Sequence, residues 1–145
     1  MTEKKKLKSK IVLTKGRKKM AIARVRIKDG KGMIKINGRA LDVFEPQAAK
    51  EALQEPIMMA EEVLGPKFYE SIDIKANING GGVMGQAYAC RTAIGKALVA
   101  WSGSADLKKK YHDYDRSLII DDARSKEPKK FLRKGARAKP TKSFR

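Results

Sequence analysis

The chain has one cysteine and one histidine in 145 residues. The single cysteine, Cys90, excludes an internal disulfide and a multi-cysteine zinc site. The single histidine, His112, has Asp113 and Asp115 nearby, but no nucleophile follows a recognisable catalytic motif, and metal catalysis is poorly supported. No apolar run is long enough to suggest a membrane span, and no basic amphipathic helix is evident. The amino terminus, Met1-Thr2-Glu3-Lys4-Lys5-Lys6, leads into a strand-like run and not into an apolar signal region, so the expected compartment is the cytosol. Acid is also in short supply. There are 16 Asp and Glu against 34 Lys and Arg, a formal net charge of +18.

The position of that charge matters more than its size. Residues 1–28 hold 12 Lys/Arg and one acid, residues 124–145 hold 10 and one, and residues 29–123 hold 12 basic and 14 acidic side chains. A near-neutral body therefore sits between two basic ends, the distribution expected of a chain that docks on a polyanion. The length fits one compact domain with extensions. The expected division is a basic extension over 1–10, an α/β domain over 11–123 and an extended basic tail over 124–145.

Hydrophobic periodicity places the elements. Ile11-Val12-Leu13 is a short strand. Over 20–28, Ala21, Ala23, Val25 and Ile27 alternate with Ile22, Arg24, Arg26 and Lys28, the pattern of a half-buried strand. Asp29-Gly30-Lys31-Gly32 reads as a turn into a second strand, Met33 to Asn37, and predicts a hairpin between the two. Asn37-Gly38 is a further turn. Residues 46–64 have helical spacing, with Pro56 predicting a kink or two short helices. Ile72, Ile74, Ala76 and Ile78 mark another strand. Residues 86–101 form the clearest helix, with Ala87, Cys90, Ile94, Ala97, Leu98 and Trp101 on one face. Ser104 caps a shorter helix from about 105 to 113. Strands, helix, strand, helix and tail imply a two-layer α/β (α+β) domain, a small mixed sheet with helices on one face.

Gly80, Gly82 and Gly85 match G-x-G-x-x-G between a strand and a helix. A dinucleotide site also needs an acid at the end of a second strand, and Asp106 follows a loop instead. A P-loop fits worse, since no Gly-Lys-Ser/Thr follows. The better reading is an anion site of backbone N–H groups that suits an RNA phosphate, so no cofactor and no small-molecule substrate are expected. Arg24, Arg26 and Lys28 share a strand face, with Arg17, Lys18 and Lys19 just upstream and few acids near in sequence. Six such cations repel one another until a polyanion binds. A solvated sheet face is the plainer alternative.

The tail repeats cations every one to four residues: Arg124, Lys126, Lys129, Lys130, Arg133, Lys134, Arg137, Lys139, Lys142 and Arg145. Pro128 and Pro140 oppose one long helix, and Gly135, Ala136 and Ala138 allow close backbone approach. Extended, the tail would reach on the order of 70 Å. About eight phosphate contacts would give a salt slope near −7 on duplex. A merely solubilising tail is the alternative. Cys90 and Trp101 are read as core or helix-end residues.

Several segments together resemble one family. They are Thr14-Lys15-Gly16-Arg17-Lys18-Lys19-Met20-Ala21-Ile22-Ala23-Arg24-Val25, Ile36-Asn37-Gly38-Arg39 and Gly80-Gly81-Gly82-Val83-Met84-Gly85-Gln86-Ala87. Asp115-Arg116-Ser117, Glu127-Pro128-Lys129-Lys130, Gly135-Ala136-Arg137-Ala138 and Lys142-Ser143-Phe144-Arg145 complete the set. In order and spacing they are similar to protein nine of the small ribosomal subunit, the universal S-nine family, in its archaeal–eukaryotic branch. The resemblance covers nearly all of 11–145. It implies a body similar to the second domain of ribosomal protein S-five, bound to ribosomal RNA in the subunit head beside other small-subunit proteins, without enzymatic activity. The expected rRNA contacts are Arg17, Lys18, Lys19, Arg24, Arg26, Gly80, Gly81, Gly82, Gln86, Arg124, Lys129, Lys130, Arg133, Lys134, Arg137 and Lys139. The tail end, Lys142, Ser143, Phe144 and Arg145, is implied to reach the anticodon stem-loop of peptidyl-site tRNA. Phe144 departs from the family's common Ser-Lys-Arg and Ser-Tyr-Arg endings, since a phenyl ring stacks but does not donate. A free-standing RNA chaperone and a small-molecule kinase-like enzyme are the competing readings.

Overall fold

A computed structural model describes residues 10–139 and 142. Five strands form one sheet in the order β1-β2-β5-β3-β4: β1 is Ile11–Lys18, β2 Ala21–Asp29, β3 Ile34–Ile36, β4 Arg39–Ala40 and β5 Ile72–Asn79. All pairs are antiparallel except β3 with β5. Three helices, α1 (Gln47–Leu64), α2 (Val83–Ser102) and α3 (Ala105–Tyr114), complete the α+β fold. Among the described residues, no helix is long and apolar enough to cross a membrane.

The alternation in β2 turns Ala21, Ala23, Val25 and Ile27 inward, each 1% exposed or less. In β5, Ile72, Ile74, Ala76 and Ile78 do the same. Small residues decide how closely α2 crosses this layer. A Cβ on Gly16 would lie 2.2 Å from the Ala89 carbonyl oxygen and 2.7 Å from the Ala93 nitrogen, so β1 and α2 meet almost backbone to backbone. The β1 side chain of Thr14 then donates to the Ala93 carbonyl at 2.8 Å. With the sheet on one side and α1 on another, α2 is buried nearly all round, and its Ala87, Ala89, Cys90, Ala93, Ile94, Ala97 and Leu98 join the core. Burying a side chain such as Ile94 or Leu98 contributes about 1.5–3 kcal/mol.

One expectation fails, for a visible reason. The hairpin joins β1 to β2, turning where Lys19 adopts φ 54°. It does not join β2 to β3, because β5 lies between them. The 29–33 segment is drawn over the start of β5, where Gly30 and Gly32 N–H donate to the Ser71 and Ile72 carbonyls at 2.9 and 3.1 Å. Asp73 Oδ1 accepts from the Lys31 and Met33 N–H at 2.9 and 3.2 Å. A Cβ on Gly30 would sit 2.0 Å from the Asp73 carboxyl carbon, so this crossing needs glycine. The Asn37-Gly38 turn does form a hairpin, between β3 and β4, with both residues at positive φ.

Of the two outcomes expected at Pro56, a kink or two short helices, the second is excluded, because Pro56 lies inside one continuous helix. Its missing N–H removes one helical hydrogen bond. In return its ring is buried, and its carbonyl accepts the hydroxyl of the buried Tyr111 in α3. The Asn79–Gly82 loop, the Gly65 and Gly103 helix ends and the Ser104 cap stand where the sequence places them, with Ser104 Oγ accepting from the Leu107 N–H at 3.3 Å.

Candidate nucleic-acid interface

Because the helices cover one face of the sheet, the other face is open, and strand alternation decides what it carries. Register brings Lys15, Arg24 and Asn77 side by side on β1, β2 and β5. The next row joins Leu13, Arg26, Lys75 and Lys35 across β1, β2, β5 and β3. Toward the β1–β2 turn, Arg17, Ile22 and Asn79 form a third. A shallow depression of about 610 Å³ is lined by Leu13, Lys15, Arg24, Arg26, Lys75 and Asn77. A smaller one of about 210 Å³ shares Arg24 and Asn77 and continues to Asn79 and Gly80. Among the described residues, none of Lys15, Arg24, Arg26, Lys35 and Lys75 has a carboxylate within 4.0 Å. Like charges held this close, without counter-charges from the protein, favour an anionic ligand.

Two of the six cations grouped in the sequence are compensated in space. Lys28 pairs with Asp73 at 3.3 Å. The Lys31 and Met33 N–H groups, and then Lys28, hold the Asp73 carboxyl below its usual range. Lys18 points to the helix side, where it meets Asp122 at 3.4 Å and lies 5.6 Å from the Tyr88 ring centroid. It therefore leaves the face that holds Arg24 and Arg26. Arg17 stays on the open side, its Nε donating to the Lys19 carbonyl at 3.0 Å.

The glycine loop has largely internal reasons for its composition. Gly80 and Gly81 adopt φ of 77° and 69°. A Cβ on Gly80 would lie 2.5 Å from the Met20 carbonyl oxygen, and one on Gly81 would lie 3.1 Å from the Ala21 Cβ. Gln86 braces the same turn, its Nε2 donating to the Gly80 carbonyl at 3.2 Å. Gly82 differs, with open space where a side chain would be, and it precedes the first turn of α2 without a side-chain cap. Asp106, the acid a dinucleotide site would use, lies in the first turn of α3. Cys90 is fully buried, and burial pushes its thiol up to about 12, so it serves the core.

The tail begins at a clamp that sequence reasoning did not find. The Asp122 N–H donates to the Arg17 carbonyl at 3.1 Å, and the Arg17 N–H donates to Asp121 Oδ1 at 3.1 Å. Asp121 also pairs with Lys96 at 2.7 Å. Arg124, through its side chain and its N–H, holds the Asp122 carboxyl well below the usual range, and Lys18 adds to this. Beyond the short 3₁₀ turn Arg116–Leu118, the described residues contain no helix or strand. Arg137 pairs with Glu127 at 3.0 Å. Among the described residues, Lys129, Lys130, Arg133, Lys134 and Lys139 meet no acid within 4.0 Å. Lys142 is exposed, while Ser143, Phe144 and Arg145 lie outside the described residues.

Asp115-Arg116-Ser117, part of the resemblance, is built into the body. Arg91, 5% exposed, places its Nη1 2.8 Å from Asp115 Oδ2 and 3.1 Å from Ser117 Oγ. Its Nε lies 2.6 Å from Glu55 Oε2 as an ion pair, without hydrogen-bond alignment. Burial alone would raise the Asp115 pKa, but Ser117, through side chain and backbone, together with Arg91 brings it below the usual value.

Lys15, Lys35 and Lys75 were missed as site candidates. Lys75 was visibly on the polar side of its strand, but only pairing shows that it stands beside Arg26. The result is an α+β protein with one group of cations that meet no carboxylate on its open sheet face and another along its tail. A family model described as ribosomal protein S9/S16 matches residues 16–145, and the chain belongs to that family. Relatives include small ribosomal subunit protein uS9 of Methanothrix thermoacetophila, 47% identical over 136 residues, covering 94% of this chain and 99% of the relative. The protein of the same name in Methanococcus maripaludis is 44% identical over 138 residues, covering 94% and 99%.

Proposed function

We propose that the chain is a non-enzymatic structural constituent of the small ribosomal subunit in the cytoplasm, held there by ribosomal RNA and neighbouring subunit proteins. The observation that carries this is the set of cations without carboxylate partners on the open sheet face and the tail of an S9/S16 family member. Arg17, Lys19, Arg24 and Arg26 meet phosphates from fixed strand and turn positions. Lys18 and Arg124 reach RNA only in competition with Asp122. At the glycine loop, Gly82 and the start of α2 are the open part for backbone contact. The tail cations Lys129 to Lys139 follow the phosphate backbone, and the last residues, Lys142 to Arg145, contact peptidyl-site tRNA.

Sedimentation tests the assembly. The protein is expected to stay with small subunits through a salt wash that strips loosely bound factors, and its loss would favour a free-standing RNA binder. Removal of Ser143, Phe144 and Arg145 is expected to leave assembly intact and to weaken tRNA retention in the peptidyl site. A truncated protein that fails to enter subunits would overturn this division of labour.

A further inference from the structure

We propose that the open sheet face takes double-helical RNA and reads its backbone, with Lys15, Lys35 and Lys75 acting beside Arg24 and Arg26. This rests on the ribosomal reading above and adds which form of RNA the body holds.

Sheet surfaces that bind single strands do so by stacking unpaired bases on aromatic side chains. The outward positions of this sheet carry none among the described residues. They include Ile11, Leu13, Lys15 and Arg17 on β1, Ile22, Arg24, Arg26 and Lys28 on β2, Asp73, Lys75, Asn77 and Asn79 on β5, and Lys35 on β3. At these positions bases would meet only the guanidinium planes of Arg17, Arg24 and Arg26 and no aromatic ring.

What the face does offer matches a duplex backbone. Neighbouring strands lie about 4.8 Å apart and successive outward residues about 6.8 Å apart, so the cations spread over a plane. Arg26, Lys75 and Lys35 span three strands in one row, and Lys15 and Arg24 stand in the next. Asn77 and Asn79 are exposed amides that both donate and accept, as the 2′-hydroxyl does. The A-form minor groove is wide and shallow and presents 2′-hydroxyls between phosphate rails, a shape a flat sheet can meet. An acidic protein is the competing occupant, and the test below separates the two.

The test compares the full chain with a Lys15→Ala, Arg26→Ala, Lys75→Ala variant on a blunt RNA duplex and on a single strand without secondary structure, across a salt series. All three residues are exposed, and circular dichroism checks that the variant folds. A Lys15→Arg, Arg26→Lys, Lys75→Arg variant retains the charges as a second control. Three lost phosphate contacts lower the duplex salt slope by about 2.7, so between about 50 and 200 mM salt the variant should lose about 40-fold less affinity than the natural chain. The single-strand slope, set by the tail, should change much less, and the charge-retaining variant should behave as the natural chain. Equal changes on duplex and single strand would overturn the proposal. So would an unchanged duplex slope combined with failure to enter subunits, which would assign the face to a protein. If the natural chain itself does not sediment with small subunits, the ribosomal reading fails. A natural chain that sediments while the variant's duplex binding is unaltered sinks only the sheet assignment.

Discussion

The cations of β1 and β2 and those of the tail look alike in composition but are held in different ways. Arg24 and Arg26 stand on a strand whose inward residues are sealed in the core, and β1, β5 and β3 set their neighbours. Lys129, Lys130 and Lys134 have only the spacing of the chain, with local turns such as the Arg133 N–H to the Lys130 carbonyl at 3.3 Å. The first group forms a surface with a shape. The second forms a line of charge. Shape can discriminate a duplex from a single strand, whereas a line of charge chiefly sets affinity and salt dependence.

Two glycines put this contrast at risk most directly, and they bracket the range of expected effects. Gly16→Val forces a side chain into the Ala89 and Ala93 backbone and is expected to cost about 3 kcal/mol or more, read as loss of the thermal transition or a large fall in its midpoint. Next comes Arg91→Ala, which leaves Glu55 and Asp115 without their shared guanidinium and should cost about 3 kcal/mol in urea unfolding. Tyr111→Phe removes the hydrogen bond to the Pro56 carbonyl and keeps the ring, for about 1 kcal/mol.

A subtler effect appears only in acid. The Asp73 pKa lies below its ordinary 3.8 in the folded protein, so its contribution to stability is complete above that pH and is lost as pH falls through the lower folded value. The stability gap between the natural chain and Asp73→Asn should therefore be constant near neutrality and narrow below pH 3.8 in a series of urea titrations. A gap that widens in acid would show that the carboxylate is not what secures the 29–33 crossing. The smallest effect is expected at Gly135→Ala, where the new methyl would meet only the Ala138 Cβ at 3.8 Å. Its melting curve should match the natural one to within about 0.5 kcal/mol. A loss comparable to Gly16→Val would mean that this part of the tail is packed, and the contrast would collapse.

Much of the candidate site was legible in the sequence. Arg24 and Arg26 were visibly on the polar side of an alternating strand, and the Gly80–Gly82 loop was visibly between strand and helix. The partners were not legible. Lys18 and Asp122 are distant in sequence, as are Lys28 and Asp73, and their pairings arise only when strands and tail origin are placed. The β2–β3 hairpin failed because a turn signal says that the chain reverses, not which strand it will then adjoin.

By itself the sequence determined the strand alternation, most helix limits, the burial of Ile94, Leu98 and Cys90, the asymmetry of charge and, through its motifs, the family. These follow from local periodicity, capping and composition, which act over a few residues. Only the tertiary structure decided that β5 separates β2 from β3, that Pro56 sits within one helix, and that Lys75 and Lys35 complete the row begun by Arg26. Each depends on which distant segments pack together. That is settled by close approach at Gly16, by Asp73 taking the backbone N–H groups of the crossing, and by Tyr111 meeting the Pro56 carbonyl, interactions in which neither partner's own neighbourhood names the other.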